Sequence, residues 1–189
     1  MCARHSSTTL KGISGFLLKD LMKLVLSQEI TKENYDDYID EWKKSKEVLI
    51  PSTLNQSYED FCAFTKKEQS LDLKDAISGR VPNETYFLVE ANGYIIGAVN
   101  LRYEMTEVLL KKGGHISLGI RPSMRNKGYA FIMLKLAFNI MRPKGMTKIL
   151  MTCVRGNKSC QGTMKKVGAK LENSYEIDDY VIDRYWVNL

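Results

Sequence analysis

Apolar side chains recur along this chain with two periods, and the switch between them separates helices from strands. Thr31–Ser45 carries Tyr35, Tyr38, Ile39 and Trp42 at i, i+3, i+4, i+7, with acids early and lysines late. That spacing predicts a helix with one buried face, and the charge order suits its dipole. A second helix is predicted over about Ser57–Lys67, with Tyr58, Phe61 and Cys62 on one face. Met22–Leu26, Thr85–Glu90 and Tyr94–Tyr103 read as strands, and Leu71–Asn83, which contains Gly79 and Pro82, reads as a loop. Ala91-Asn92-Gly93 joins the second and third strands, and Asn-Gly supplies the positive φ angles that a tight hairpin needs.

After Gly113-Gly114 come a strand over His115–Ile120, a polar loop, and a helix over Gly128–Met141. Lys135, Asn139 and Arg142 form the one polar stripe of that helix, so it must lie against a sheet. Lys148–Val154 predicts a strand, Asn157–Val167 a helix ended by Gly168, and Ala169–Tyr175 and Tyr180–Val187 the last strands. Met1–Leu21 differs from all this. Its first fifteen residues are rich in Ser, Thr and Gly, hold no acid, and lack the apolar stretch of a secretory signal. A flexible leader or added extension is expected there, followed by one domain over residues 22–189.

Composition narrows the function. Apolar runs such as Tyr129–Leu134 are far too short to span a bilayer, so no membrane partner is expected. The net charge of +6 would suit a nucleic-acid binder, but the basic residues are interleaved with acids along the whole chain. A basic surface is the better reading, and a site for a small polyanion is its functional version. Cys2, Cys62, Cys153 and Cys160 show no paired spacing, and His5 and His115 are the only histidines. Neither a metal nor a disulfide framework is expected, and reduced thiols in a cytoplasmic protein are. Without a secretion signal, the N-x-[ST] sequences at Asn55, Asn83 and Asn157 are read as chance.

The chemically informative stretch runs from Leu118 to Ala130: a strand end, a turn opened by Pro122, then a basic loop entering an apolar helix. Such a junction presents unpaired backbone N–H groups at a positive helix end, which suits phosphate. Gly128 lets a ligand approach the backbone, and Arg125 and Lys127 add charge.

This stretch resembles the acyl-CoA-binding motif of the GNAT superfamily, R/Q-x-x-G-x-G/A after an L-x-V-like strand end. The matching pieces are Arg125-Asn126-Lys127-Gly128-Tyr129-Ala130 and Leu118-Gly119-Ile120. Further on, Lys148–Val154, then Asn157, Ser159 and Gly168-Ala169, follow the family order, and the closing Arg184-Tyr185-Trp186 resembles a bacterial-type branch of predicted acetyltransferases. The resemblance implies an α+β fold: a splayed, mostly antiparallel mixed sheet of six to seven strands flanked by helices, parting between His115–Ile120 and Lys148–Val154. It implies acetyl-CoA as co-substrate, with pantetheine on backbone groups of Leu118, Gly119 and Ile120. Pyrophosphate would lie on the amides of Arg125, Asn126, Lys127, Gly128, Tyr129 and Ala130, and Asn157 and Ser159 would stand beside the pantetheine. The acceptor would be a small-molecule or peptide amine attacking the thioester directly, in a monomer or homodimer.

The sequence departs from the family at one position. A tyrosine that protonates the leaving thiolate commonly stands seven residues after the Asn, and here that position is Met164. Cys160, Met164 and Val167 share a helical stripe, so a core contact is the plain reading and the general acid is unassigned. Glu104 and His115, at two strand ends, are both candidates for the base, histidine having the better ordinary pKa. Tyr103 reads as sheet packing, and nothing in the sequence pairs Cys160 with a base. A non-catalytic acyl-CoA-binding or sensing module is the alternative that Met164 favours.

Overall fold

The computed structural model describes residues 22–69 and 81–189. The leader expected over residues 1–21 and most of the loop expected over Leu71–Asn83 lie outside the described residues. Strands β1 (Lys23–Leu26), β2 (Asn83–Val89), β3 (Ile95–Arg102) and β4 (Ile116–Ile120) form one sheet in the order β1-β2-β3-β4. Strands β5 (Lys148–Val154), β6 (Lys170–Ile177) and β7 (Tyr180–Asn188) form a second, in the order β5-β7-β6. Every ladder within the two sheets is antiparallel.

Helix α1 (Lys32–Ser45) begins where the Thr31 hydroxyl accepts the Asn34 N–H at 3.3 Å, a side-chain N-cap. The four apolar residues named from its periodicity are all buried. With α2 (Tyr58–Gln69) it covers one face of the first sheet. Tyr35 stacks on Phe61 at 5.2 Å, and Phe87 meets Tyr38 and Phe61 edge-on, an arrangement that suits the aromatic quadrupole.

Helix α4 (Tyr129–Met141) lies on the opposite face, its Lys135, Asn139 and Arg142 stripe exposed as expected. Met133, Leu134, Ala137, Phe138 and Met141 are buried against Ile96, Val99, Ile116 and Ile120 of the first sheet. The same apolar cluster continues into Ile149, Met151, Tyr185 and Val187 of the second. One helix thus roofs both sheets. Helix α5 (Lys158–Lys166) follows β5 and sends Met164 into this cluster.

The sheets meet at a single bridge, Gly114 to Met151. His115 N–H donates to Leu150 O at 2.8 Å, and Gly113 N–H donates to the Thr152 hydroxyl at 3.0 Å. Among the described residues no ladder joins β4 to β5 beyond that point, so the parting falls between the two strands the sequence named.

Two local readings change. The β2–β3 turn places only Gly93 at positive φ (83°), not Asn92. Gly93 N–H donates to Glu90 O and Glu90 N–H to Tyr94 O, so this is a three-residue loop closed by a left-handed glycine. Between Tyr103 and Gly113, where the apolar pattern names no element, lies a short helix, α3 (Glu107–Lys111), capped by the Thr106 hydroxyl. Five residues are too few for periodicity to declare it.

Candidate functional site

The backbone of β4 is divided between two neighbours. Arg121 N–H donates to Ile96 O at 2.9 Å, and Arg102 N–H donates to His115 O at 2.8 Å. These bonds bracket the β3–β4 ladder, and antiparallel groups alternate. Odd-numbered residues therefore face β3, and Ile116, Leu118 and Ile120 turn their N–H and C=O groups toward the gap. Gly119, expected among the pantetheine contacts, turns its groups to β3. It is glycine for another reason: a Cβ there would stand 2.1 Å from the Ile50 carbonyl oxygen. The Ile120 carbonyl already accepts from Arg125 Nε at 3.1 Å.

After β4 the chain makes one 3-10 turn, Pro122–Met124, then passes through two left-handed residues, Asn126 (φ 62°) and Gly128 (φ 84°). The first hydrogen bond of α4 runs from Ile132 N–H to Gly128 O at 3.3 Å. Among the described residues, the N–H groups of Asn126 through Phe131 donate to no protein group. A row of free amides thus converges at the positive end of a 13-residue helix. Tyr129 and Ala130, half-buried, begin the apolar face below it.

The two basic side chains of the loop point elsewhere. Arg125 is held by both oxygens of Glu47 at 2.7 and 2.8 Å and lies over the Trp42 ring. Lys127 Nζ folds back to donate to Ser123 O at 3.0 Å. An anion here would be met by backbone amides rather than by these charges.

Arg121 went unnoticed in the sequence and is among the most buried side chains, 1% exposed. It pairs with Asp37 at 2.7 Å and Glu41 at 3.1 Å and lies 4.2 Å above the Tyr94 ring. Glu41 also accepts the Ser123 N–H at 2.7 Å. The signal was available: Asp37 and Glu41 stand four apart on the polar side of α1, with Glu47 just beyond it.

On the other side of the gap, Asn157 caps α5, its Oδ1 accepting the Cys160 N–H at 3.0 Å. Asn157 and Ser159 are exposed at that helix start. Met164 is 6% exposed and packs in the cluster under α4, together with Tyr185. Burial raises the pKa of Tyr185, so its hydroxyl holds its proton. The Cys153 thiol donates to the carbonyls of Val154 at 3.4 Å and Asn157 at 3.8 Å. The neighbouring Cys160 thiol, together with burial, pushes the Cys153 pKa far up, while Cys153 brings Cys160 down against the opposing effect of burial.

His115 is buried just before β4, and its Nδ1 accepts the Leu150 N–H at 2.9 Å. Burial lowers its pKa below 6.5, and the nearby Arg102 charge acts in the same direction. The ring is neutral, with its Nδ1 lone pair engaged and its proton on Nε2. Glu104 is half-buried beyond β3 and makes no hydrogen bond or ion pair among the described residues. Tyr103 donates to Glu84, which also accepts from Tyr86 at 2.9 Å and Lys144 at 2.5 Å. That knot ties β2 and β3 to the turn after α4.

Among the described residues no cluster of three or more His, Cys, Asp or Glu could hold a metal, and no helix is long and apolar enough to cross a membrane. The family model described as Acetyltransferase (GNAT) family matches residues 28–169. No curated protein matches the sequence significantly. Solved structures share the fold at low identity. The spermidine/spermine N-acetyltransferase SpeG from Vibrio cholerae superposes with TM-score 0.60 at 12% identity, over 89% of this chain and 94% of that one. The ribosomal alpha-N-protein acetyltransferase RimL, in complex with coenzyme A, gives 0.63 at 10% identity, over 91% and 96%. The microcin self-immunity acetyltransferase MccE, with acetyl-CoA and AMP, gives 0.59 at 15%, over 90% and 93%.

Proposed function

Because this chain belongs to the acetyltransferase (GNAT) family, we propose that it transfers an acetyl group from acetyl-CoA to a primary amine of a small molecule or peptide. The observation that carries this reading is the row of unclaimed amides from Asn126 to Phe131, beside a gap onto which Leu118 turns its backbone. Together they offer a nest for a pyrophosphate and hydrogen bonds for an extended amide arm. The coenzyme A bound by RimL and the acetyl-CoA bound by MccE support the same co-substrate. SpeG and RimL act on a polyamine and a protein amino group respectively, which supports an amine acceptor without choosing its size.

Acetyl-CoA supplies a thioester: the amine nitrogen bonds to its carbonyl carbon, the C–S bond breaks, and coenzyme A leaves with a proton. Each proton needs a residue of this chain. We assign relay of the ammonium proton to Glu104, since the lone pair of His115 Nδ1 is occupied by Leu150. Proton return to the sulfur is assigned to Tyr185, which shares the apolar cluster with Met164 and keeps its proton. The hydroxyl absent from α5 is thus supplied from β7. Without that donor, Met164 would favour a module that binds acyl-CoA and does not turn it over.

Free-thiol release from acetyl-CoA across an amine panel tests the reading, with Gly128→Glu as control. That substitution forces a side chain into a backbone at φ 84° and adds a negative charge to the amide nest. Coenzyme A affinity by calorimetry should fall at least about 100-fold, as when a charge-assisted contact becomes a like-charge clash, while the fold persists. Wild-type affinity in the variant would refute the site.

A further inference from the structure

Arg102, the last residue of β3, is half-buried, and its only side-chain bond runs from NH1 to Gly114 O at 3.1 Å. Among the described residues no carboxylate pairs with it, unlike Arg121, Arg125, Arg155 and Arg184, each of which has an acid at 2.7 to 2.9 Å. Burial lowers its pKa from the ordinary arginine value, with no acid to offset the loss of solvent. A guanidinium stays charged in a protein, and a half-buried one with a single carbonyl partner is costly unless something completes it.

The surroundings indicate what completes it. Leu101 belongs to the cluster under α4, so alternation along β3 places Arg102 on the opposite face of its sheet. On the second sheet Met151 and Cys153 face α4, and Thr152 faces away from it. Gly113 N–H reaches Thr152 while Gly114 O holds Arg102, so the two side chains border one surface across the junction. Among the described residues, the aromatic cluster beneath α1 and α2 contains no residue of β5, β6 or β7. Farther along the same face of the second sheet, a hollow of about 300 Å³ is walled by Trp186, Leu171, Lys148, Lys170 and Glu172. Trp186 is 6.1 Å from the His115 ring. Lys148 and Lys170 have no acid partner among the described residues, whereas Glu172 is spent on Arg184 at 2.9 Å. Among the described residues, this surface is short of free negative charge.

We propose that the acceptor amine carries an oxyanion, a carboxylate or a phosphate, and that Arg102 binds it on the face of the sheets opposite α4. Arg102 then sets specificity, selecting amino acids or aminoalkyl phosphates and rejecting polyamines. The proposal rests on the acetyltransfer reading. The chemistry is unchanged: a nitrogen–carbonyl bond forms, the thioester C–S bond breaks, and the amine proton leaves through the relay to the thiol.

Thiol release from acetyl-CoA is measured with straight-chain ω-amino acids and aminoalkyl phosphates, each against its uncharged carboxamide or alcohol, and with spermidine. A charged hydrogen bond is worth about 10- to 100-fold, so wild type should favour the anionic member of each pair by that factor, through KM. Arg102→Gln keeps an N–H for Gly114 O and removes the charge. It should erase that preference while leaving kcat and the KM for acetyl-CoA within about threefold, and Arg102→Lys should restore part of it. Preference for spermidine, or an equal loss on charged and uncharged acceptors in Arg102→Gln, would overturn the proposal. The second outcome would mark Arg102 as an anchor for the Gly114 turn. If no acceptor releases thiol, the transferase reading fails instead. Titration of the same acids onto the coenzyme A complex then decides for Arg102: binding abolished by Arg102→Gln supports it, and binding unaffected overturns it.

Discussion

His115 carries both an accepting and a donating contact with one residue, its ring taking the Leu150 N–H and its own N–H reaching the Leu150 carbonyl. A protonated ring cannot keep the first bond, and burial already lowers its pKa below 6.5. The unfolded chain takes up a proton near pH 6.5 that the folded chain refuses until lower pH. The contribution of His115 to stability is therefore whole above about pH 6.5 and is lost as pH falls toward the folded value. Urea midpoints for wild type should drop between about pH 7.5 and about pH 5.5. His115→Asn keeps an accepting oxygen and cannot titrate, so it should drop less. Equal drops would mean that the ring titrates freely in the fold.

At the scale of elements, α1 acts on the loop before α4. Asp37 and Glu41 hold Arg121, Glu41 holds the Ser123 N–H, and Glu47 holds Arg125. Exposed ion pairs contribute little, but Arg121 is sealed, and its NH1 has no partner even with both acids present. Replacing Asp37 and Glu41 together by Asn and Gln should destabilise the protein by about 1–3 kcal/mol. It should also weaken coenzyme A binding by about 10-fold, as expected of a site whose supporting shell is loosened, and Glu47→Gln should do much less of either. Calorimetry and thermal unfolding on the three proteins decide it; wild-type affinity in the double variant would show that the loop holds its shape unaided. The helices and the amide nest were legible because Tyr35, Tyr38, Ile39, Trp42 and Gly128 announce themselves over a few residues. Arg125 and His115 were readable only as types, because their partners lie 78 and 35 residues away. Side-chain direction is decided by such partners, so the charges of the basic loop turn to Glu47 and the Ser123 carbonyl, and the groups left free are backbone amides.

Across the whole molecule, one apolar roof holds two sheets that share a single bridge. The second sheet has its own polar clamp: Asp183 of β7, 3% exposed, accepts from Arg155 at 2.7 and 3.0 Å, from Ser174 at 2.8 Å and from Gln161 of α5 at 3.4 Å. The Arg155 guanidinium, against the opposing effect of burial and with help from Ser174, holds the carboxyl below its ordinary 3.8. The unfolded chain then binds a proton that the folded chain refuses, so this stabilisation is complete above about pH 4 and lost as pH falls below it. Asp183→Asn should cost about 1–3 kcal/mol at neutral pH and narrow the gap to wild type in acid, read from unfolding curves at several pH values. A gap that stays constant with pH would mean that the carboxylate charge contributes nothing. The parting of the sheets has a further consequence. Proteins ordinarily keep unpaired strand edges at their rim and blunt them with charge or cover. Here such an edge, formed by Ile116, Leu118 and the N–H of Ile120, stands in the middle of the molecule, recessed between β4 and β5 under the roof of α4. Set between two sheets and beneath a helix, it is shielded from the strands of other chains by the fold itself and needs no charge of its own to blunt it.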